Sequence, residues 1–356
     1  MTGENFSADL PPFKMSNATR PHTQPAQHAI ERFLHDACAA RTVNVAALNL
    51  LSGGAIQQNW ELNVAISGGP YAGTHTWVLR TDAPATVASS LPRAHEFAII
   101  RFAHANGLLA PRPLFLCDNS AVIERPFFIM EKLPGIAAGH QVVRLAIDRR
   151  ALAHELAQAA ARIHAIRPPL SALPFLKTFL ARDVIRACRA YLDSLDEPHP
   201  VLEWGLRWCE RHTPAQEETT FVHRDFRTGN YLVHEGKLAG LLDWEFAALG
   251  NPLEDIGWIC AKCWCFRHQH HIVGGVADLD DFIPAYEAAS GRKVPAAALR
   301  YWQVMAHIRW SIIALQQTQR HLSGIEPSLE LALTGKIVAE LEWEILQLTD
   351  SLGESP

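Results

Sequence analysis

At Leu133-Pro134-Gly135 the hydrophobic rhythm of the chain changes, and the change limits what it can fold into. Before this point, short apolar stretches predict strands over 43–50, 60–66, 74–80, 114–117 and 126–131. Ser52-Gly53-Gly54 and Gly68-Gly69-Pro70 supply the breaks between them. A helix over 24–40 carries Ile30, Phe33, Leu34 and Ala37 on one stripe, and the main helix of this half runs over 91–106. After the change, helical spacing dominates 146–166, 175–195, 200–211, 253–268, 278–290, 296–320 and 327–350, with strands and loops over 220–250. Strands in one part and helices in the other read as α+β: a small antiparallel sheet lobe followed by a larger, mostly helical lobe. The expected division is a loosely ordered arm over 1–23, a first lobe over 24–133 and a second over 134–356.

A length of 356 residues suits two lobes, and 48% hydrophobic with 19% charged residues describes a folded chain. The net charge of −5 carries no basic footprint, so nucleic acid is excluded as a partner. No apolar run of about 18 residues is present, so no membrane span is expected. The polar stretch 1–23, with Pro11, Pro12 and Pro21, lacks the apolar centre of a signal peptide. Seven cysteines, an odd number in a long chain, argue against a disulfide framework and for the reducing cytoplasm.

The chemistry concentrates between the helices. Positions 221–233 read Phe-Val-His-Arg-Asp-Phe-Arg-Thr-Gly-Asn-Tyr-Leu-Val; Leu-Leu-Asp-Trp-Glu follows at 241–245 and Asn-Pro-Leu-Glu-Asp-Ile-Gly at 251–257. His223-Arg224-Asp225 followed by Asn230 has the H-R-D-x-x-x-x-N spacing of a kinase catalytic loop. Phosphoryl transfer needs one carboxylate facing the attacking hydroxyl and separate oxygen ligands that hold Mg²⁺ on the phosphates. Asp225 suits the first role, Asn230 and Asp243 the second. A turn aspartate is the plainer reading of Asp225, but His223 and Asn230 at the required offsets argue against it. His223 reads as a clamp for the loop. Arg227 is open between phosphate or substrate contact and plain solvation, and Glu245 between metal-site support and a loop cap.

Together with Leu51-Ser52-Gly53-Gly54, Val78-Leu79-Arg80 and Phe128-Ile129-Met130-Glu131, these motifs resemble the aminoglycoside phosphotransferase and choline-kinase superfamily. The resemblance extends over 25–350 and is strongest to the branch related to the kinase domains of some acyl-CoA dehydrogenases. It implies a protein-kinase-like fold of two lobes that uses ATP and Mg²⁺. Asp243-Trp244-Glu245 stands where protein kinases have Asp-Phe-Gly, and no A-P-E segment follows, which points to small acceptors. By the same resemblance Ser52, Gly53 and Gly54 turn over the phosphates, and Arg80 replaces the phosphate-binding lysine with Glu96 as its partner. Met130, Glu131 and Leu133 form the adenine hinge, and Asp255 braces the catalytic loop.

The acceptor is less constrained. Arg182, Arg186 and Arg189 mark one helix face, and His307, Arg309 and Trp310 another; lining a pocket, the arginine trio would suit an anion. Glu326, Glu330, Glu340, Glu342 and Glu344 would instead favour a cationic aminoglycoside. The branch resemblance implies a hydroxyacyl-CoA such as 4-hydroxyvaleryl-CoA. Antibiotic O-phosphorylation is the alternative, and an ATP-binding regulatory pseudokinase is the non-enzyme alternative. A choline-like alcohol ranks last for want of an aromatic cage. Cys260, Cys263, Cys265, His268, His270 and His271 read as helix packing in preference to a zinc site. A small partner subunit is compatible with the sequence, which specifies no oligomeric form.

Overall fold

The computed structural model describes residues 25–51, 57–82, 91–214, 218–324 and 326–350. They divide into two compact units. One comprises the described residues of Ser16–Gly135 together with Ala239–Glu245, and the other those of Ile136–Leu238 and Phe246–Pro356. Seven residues around Asp243 thus group with the N-terminal unit.

In the N-terminal unit, α1 (Gln27–Ala37) leads into β1 (Thr42–Leu50), β2 (Gln57–Ser67) and β3 (Gly73–Asp82). Helix α2 (Arg93–Ala105) follows, then β4 (Pro113–Cys117) and β5 (Phe127–Glu131). The strands form one antiparallel sheet in the order β1-β2-β3-β5-β4. Side chains alternate across a strand, so the sheet has two differently used faces. Trp77, Leu79, Phe127 and Ile129 join Ile30 and Leu34 of α1 in one core. Arg80 and Phe128, one residue out of phase, take the opposite face, where Phe97 of α2 meets Phe128 edge-on at 5.8 Å. That parity aims Arg80 at α2.

The second unit begins with α3 (Gly139–Val142), α4 (Arg149–His164), β6 (Thr178–Phe179), α5 (Ala181–Leu192) and α6 (Pro200–His212). Its middle holds β7 (Thr220–Val222), β8 (Tyr231–His234), β9 (Lys237–Leu241), whose end passes into the N-terminal unit, and β10 (Ala248–Gly250). Then come α7 (Leu253–Ile259), α8 (Leu279–Ser290), α9 (Ala296–Leu322), α10 (Leu329–Lys336) and α11 (Val338–Thr349). The long α9 is the spine: Trp302, Val304, Met305 and Ile308 share a core with Ile185 of α5, Leu206 of α6 and Ile345 of α11. Helix α7 crosses α9 at Gly257, where an added Cβ would lie 2.5 Å from the Trp302 backbone. Only a residue without a side chain permits that approach. No described helix is long and apolar enough to cross a membrane.

Three helices differ from the sequence expectation. The one expected over 175–195 starts at Ala181, because Thr178 and Phe179 pair in parallel with β10. The one expected over 253–268 ends at Ile259; Lys262–Cys265 tightens into a 3-10 turn, and Phe266 and Arg267 then take φ of 46° and 70°. The last breaks between Lys336 and Val338, just after Gly335, whose bare Cα sits against Thr318 of α9. In the first and third cases a tertiary contact overrides a local periodic signal.

Candidate active site

In the helical unit the loop from His223 to Asn230 joins β7 to β8. Its anchor is Asp255, fully buried in the first turn of α7. The two carboxylate oxygens accept the backbone N–H groups of His223 (2.8 Å) and Arg224 (2.7 Å). His164 Nε2 lies 3.1 Å from Oδ2, and its Nδ1 meets the Tyr286 hydroxyl at 2.8 Å. Burial on its own would push the Asp255 pKa up. The hydrogen bonds and charges of His164 and His223 outweigh it and hold the carboxyl below its ordinary value. Two backbone donors on one carboxylate bend the loop sharply, and Arg224 adopts φ 63°. This is the bracing expected of Asp255.

The bend presents Asp225. Its N–H donates to His223 Nδ1 at 3.3 Å, so His223 lies within the loop as a fully buried clamp. Asp225 Oδ1 accepts from Arg227 Nε (2.9 Å) and Trp258 Nε1 (2.8 Å). Oδ2 accepts from Asn230 Nδ2, which also donates to the Asp225 carbonyl at 3.0 Å. A carboxylate oxygen accepts about two such bonds, so Oδ1 is filled and Oδ2 has room for one more donor. Trp258 was not among the residues expected from sequence. The only signal for it is its place one helical turn beyond Asp255. Arg227 also stacks over Trp264, 4.3 Å from the ring centroid.

The N-terminal unit holds a second charged cluster. Arg80, 5% exposed, places Nε 2.9 Å from Glu96 Oε1 and one terminal nitrogen 2.6 Å from Asp243 Oδ1 and 3.9 Å from Glu245 Oε1. Burial would lower the Arg80 pKa, but Glu96, Asp243 and Glu245 together raise it above the ordinary value. Arg93, which sequence reasoning passed over, is fully buried between Asp82 (2.9 Å), Glu96 and Glu245 (3.5 Å). Its spacing of three residues before Glu96 on a helix was the available signal. Glu245 also accepts from Gln57 Nε2 at 3.0 Å and is buried. It braces the two arginines, whereas the Asp243 side chain stays about a quarter exposed (25%) at a residue of φ 64°.

Of the hinge residues, Met130 is buried and Glu131 donates its N–H to Arg112 O at 2.9 Å. Leu133 lies on Gly240 of β9, where a Cβ would come within 2.3 Å of Leu133 Cδ1. Ser52, Gly53 and Gly54 lie outside the described residues.

The acceptor candidates separate. Arg182, Arg186 and Arg189 line an open depression of about 470 Å³ that also holds Asp193 and Glu210. Arg186 pairs with Asp183 at 3.1 Å, and Arg189 with Glu203 (3.4 Å) and Glu210, so acids of the same surface offset much of the trio's charge. His307 leaves the acceptor set: it is buried, with Nδ1 2.7 Å from Gln303 O and Nε2 accepting from Lys262 N. Trp310 packs on Trp264, with centroids 4.6 Å apart. Arg309 bonds Glu254 at 2.5 Å and lies over Trp258. Glu326, Glu342 and Glu344 pair with Arg320, His199 and Lys262. Cys260 and Cys265 are buried, and burial pushes the Cys265 thiol up to about 11. Among the described residues no group of three or more His, Cys, Asp or Glu is arranged to hold a metal ion.

The model of the phosphotransferase enzyme family (APH) matches residues 47–299. Over 277 residues the chain is 28% identical to acyl-CoA dehydrogenase family member 10 of Mus musculus, covering 71% of this chain and 26% of that protein. It is 25% identical over 297 residues to acyl-CoA dehydrogenase family member 11 of Rattus norvegicus, covering 78% and 38%. The chain thus spans well under half the length of these relatives. Spectinomycin phosphotransferase APH(9)-Ia, solved with ADP and spectinomycin, superposes with a TM-score of 0.63 at 14% identity, over 91% of this chain and 100% of that one. A thermostable mutant of aminoglycoside phosphotransferase APH(4)-Ia, solved with AMP-PNP and hygromycin B, gives 0.60 at 15%, over 91% and 99%. These two likenesses show a shared kinase-like fold.

Proposed function

The chain belongs to the phosphotransferase enzyme family, and from that premise we propose that it is an ATP-dependent small-molecule kinase with Asp225 as its catalytic base and a hydroxyacyl-CoA as its acceptor. The transfer of a phosphoryl group to a hydroxyl follows from the family. The nucleotide, the residue roles and the acceptor are the proposal.

The observation that carries it is the setting of Asp225. Three side-chain donors fix its carboxylate, and one acceptor position on Oδ2 remains. A substrate hydroxyl donating there would be oriented for attack and would pass its proton to Oδ2 as the new P–O bond forms and the bond from the γ-phosphorus to the departing ADP breaks. The donor set suits a magnesium nucleotide. Asn230 turns its amide nitrogen to Asp225 and hence its oxygen away. Asp243 offers a part-exposed carboxylate, and hard oxygens of this kind are what Mg²⁺ takes. When bound, Mg-ATP supplies the phosphoryl group and the metal charge that neutralises it. In this reading Arg80, held by Glu96 and Asp243, binds phosphate oxygens, and the backbone at Glu131 and Leu133 binds adenine.

The acyl-CoA dehydrogenase relatives support the acceptor, since the stretch of each that matches this chain belongs to a protein named for acyl-CoA dehydrogenation. The test is Mg²⁺-dependent ADP release with 4-hydroxyvaleryl-CoA, using Asp225→Asn as the blank. Release confined to the unmodified protein is expected. No release above the blank would remove this acceptor and bring forward hydroxylated antibiotics. Asp243→Ala is expected to weaken Mg-ATP binding at least tenfold, about 1.4 kcal/mol, in a calorimetric titration. Unchanged affinity would take Asp243 out of the metal site.

A further inference from the structure

A second group of charges lies beside Asp225. Glu254, 2% exposed, accepts from two arginines on the same oxygen: Arg224 Nε at 2.9 Å and Arg309 at 2.5 Å. Each guanidinium rests on an aromatic face, Arg224 on Phe179 (3.9 Å) and Arg309 on Trp258 (4.7 Å). Their side chains keep 12% and 14% of their surface exposed. The catalytic loop, β6, α7 and α9 thus converge to hold two planar cations in fixed orientations, with one carboxylate between them.

The charge does not balance locally. Burial lowers the Arg309 pKa, Glu254 pulls it back up, Arg224 pushes it down again, and Cys188 and the more distant Asp225 raise it slightly, leaving it below its ordinary value. Two part-buried cations share a single directly bonded carboxylate, and the nearby Asp225 carboxylate is itself engaged by Arg227, so the pair is short of bonded negative charge. Each guanidinium has five N–H donors and spends only one on Glu254, and outward donors on a stacked, immobile plane lose little entropy on meeting an anion. Trp258 ties this pair to the reaction, because the indole under Arg309 is the one whose N–H holds Asp225 Oδ1. An acceptor hydroxyl at Asp225 therefore lies about one indole away from the unbalanced charge.

We propose that Arg224 and Arg309 form an anion subsite that selects hydroxyl acceptors bearing a carboxylate or phosphate over neutral or cationic ones. The inference rests on Asp225 as the acceptor-side base and deepens that reading by naming the charge class of the acceptor. The anion has two chemical sources, the free carboxylate of a hydroxy acid or the phosphates of a CoA ester.

Calorimetric titration with three probes separates them: 4-hydroxyvalerate, 4-hydroxyvaleryl-CoA and the neutral 4-hydroxyvaleramide. The full chain is expected to bind at least one anionic probe about tenfold or more tighter than the amide, the size of one charge-assisted contact. Arg309→Met should erase that preference, and Arg309→Lys, which keeps the charge but not the planar fork, should restore part of it. Preference for the free acid identifies the carboxylate as the recognised group, and preference for the ester identifies the phosphates. Equal binding of amide and anions, binding of none of the three, or an undiminished preference in a folded Arg309→Met protein would overturn the proposal. Anion binding without any phosphorylation would count against the kinase reading and leave the subsite in place.

Discussion

Asp225→Asn is expected to lower turnover by about two to four orders of magnitude, the usual contribution of a positioned acid or base. Mg-ATP affinity should stay within about twofold, since 1.4 kcal/mol is needed for a tenfold change and no nucleotide contact is removed. The substitution keeps the shape of the side chain. The Arg227 and Trp258 donors can still be met by the amide oxygen, so the loop should hold its form. The amide nitrogen replaces the oxygen that Asn230 donates to and that would take the hydroxyl proton. Steady-state rates and nucleotide titrations on the same preparation provide the check. Turnover within tenfold of the unmodified protein would mean that Asp225 orients the acceptor without receiving its proton.

Asp255→Ala should be the most damaging change to stability. It leaves the buried N–H groups of His223 and Arg224 without an acceptor and strands His164. Breaking a buried charge network in this way costs about 3–5 kcal/mol. The same residue has a signature in pH. Its folded pKa is lowered, so it stabilises the native state at pH above its unfolded value, about 3.9. That contribution is lost as pH falls through the lower folded value. Asp255→Asn cannot titrate, so its stability deficit against the unmodified protein should be large at pH 7 and shrink below about pH 4. Denaturant unfolding at both pH values measures it. A deficit constant across that range would show that the contribution of Asp255 is shape and not charge.

Both effects depend on a loop whose spacing could be read from the chain. His223, Asp225 and Asn230 are close in sequence, and their offsets are set by a turn that closes within eight residues, so local chemistry already implies their convergence. The Arg80–Glu96 contact was implied by the family resemblance, and the structure puts the two side chains 2.9 Å apart. Glu245 was not. Its place between Gln57, Arg80 and Arg93 depends on a segment near the end of the catalytic region grouping with the first unit. His307 shows the same limit from the other side: a polar residue on a helix invites a functional reading until its own helix and the 3-10 turn at Lys262 occupy both ring nitrogens.

By itself the sequence determined the two-part α+β architecture, most element positions, the His223–Asn230 spacing and the family. Those depend on periodicity and on short-range geometry, which a linear chain carries explicitly. Only the tertiary structure decided that Trp258 holds Asp225, that Arg93 shares Glu245 with Arg80, and that Arg224 and Arg309 meet on Glu254. Each of these pairings joins residues on different helices, strands or loops. Which faces meet is set by packing, here by the absence of a side chain at Gly257 that lets α7 close on α9.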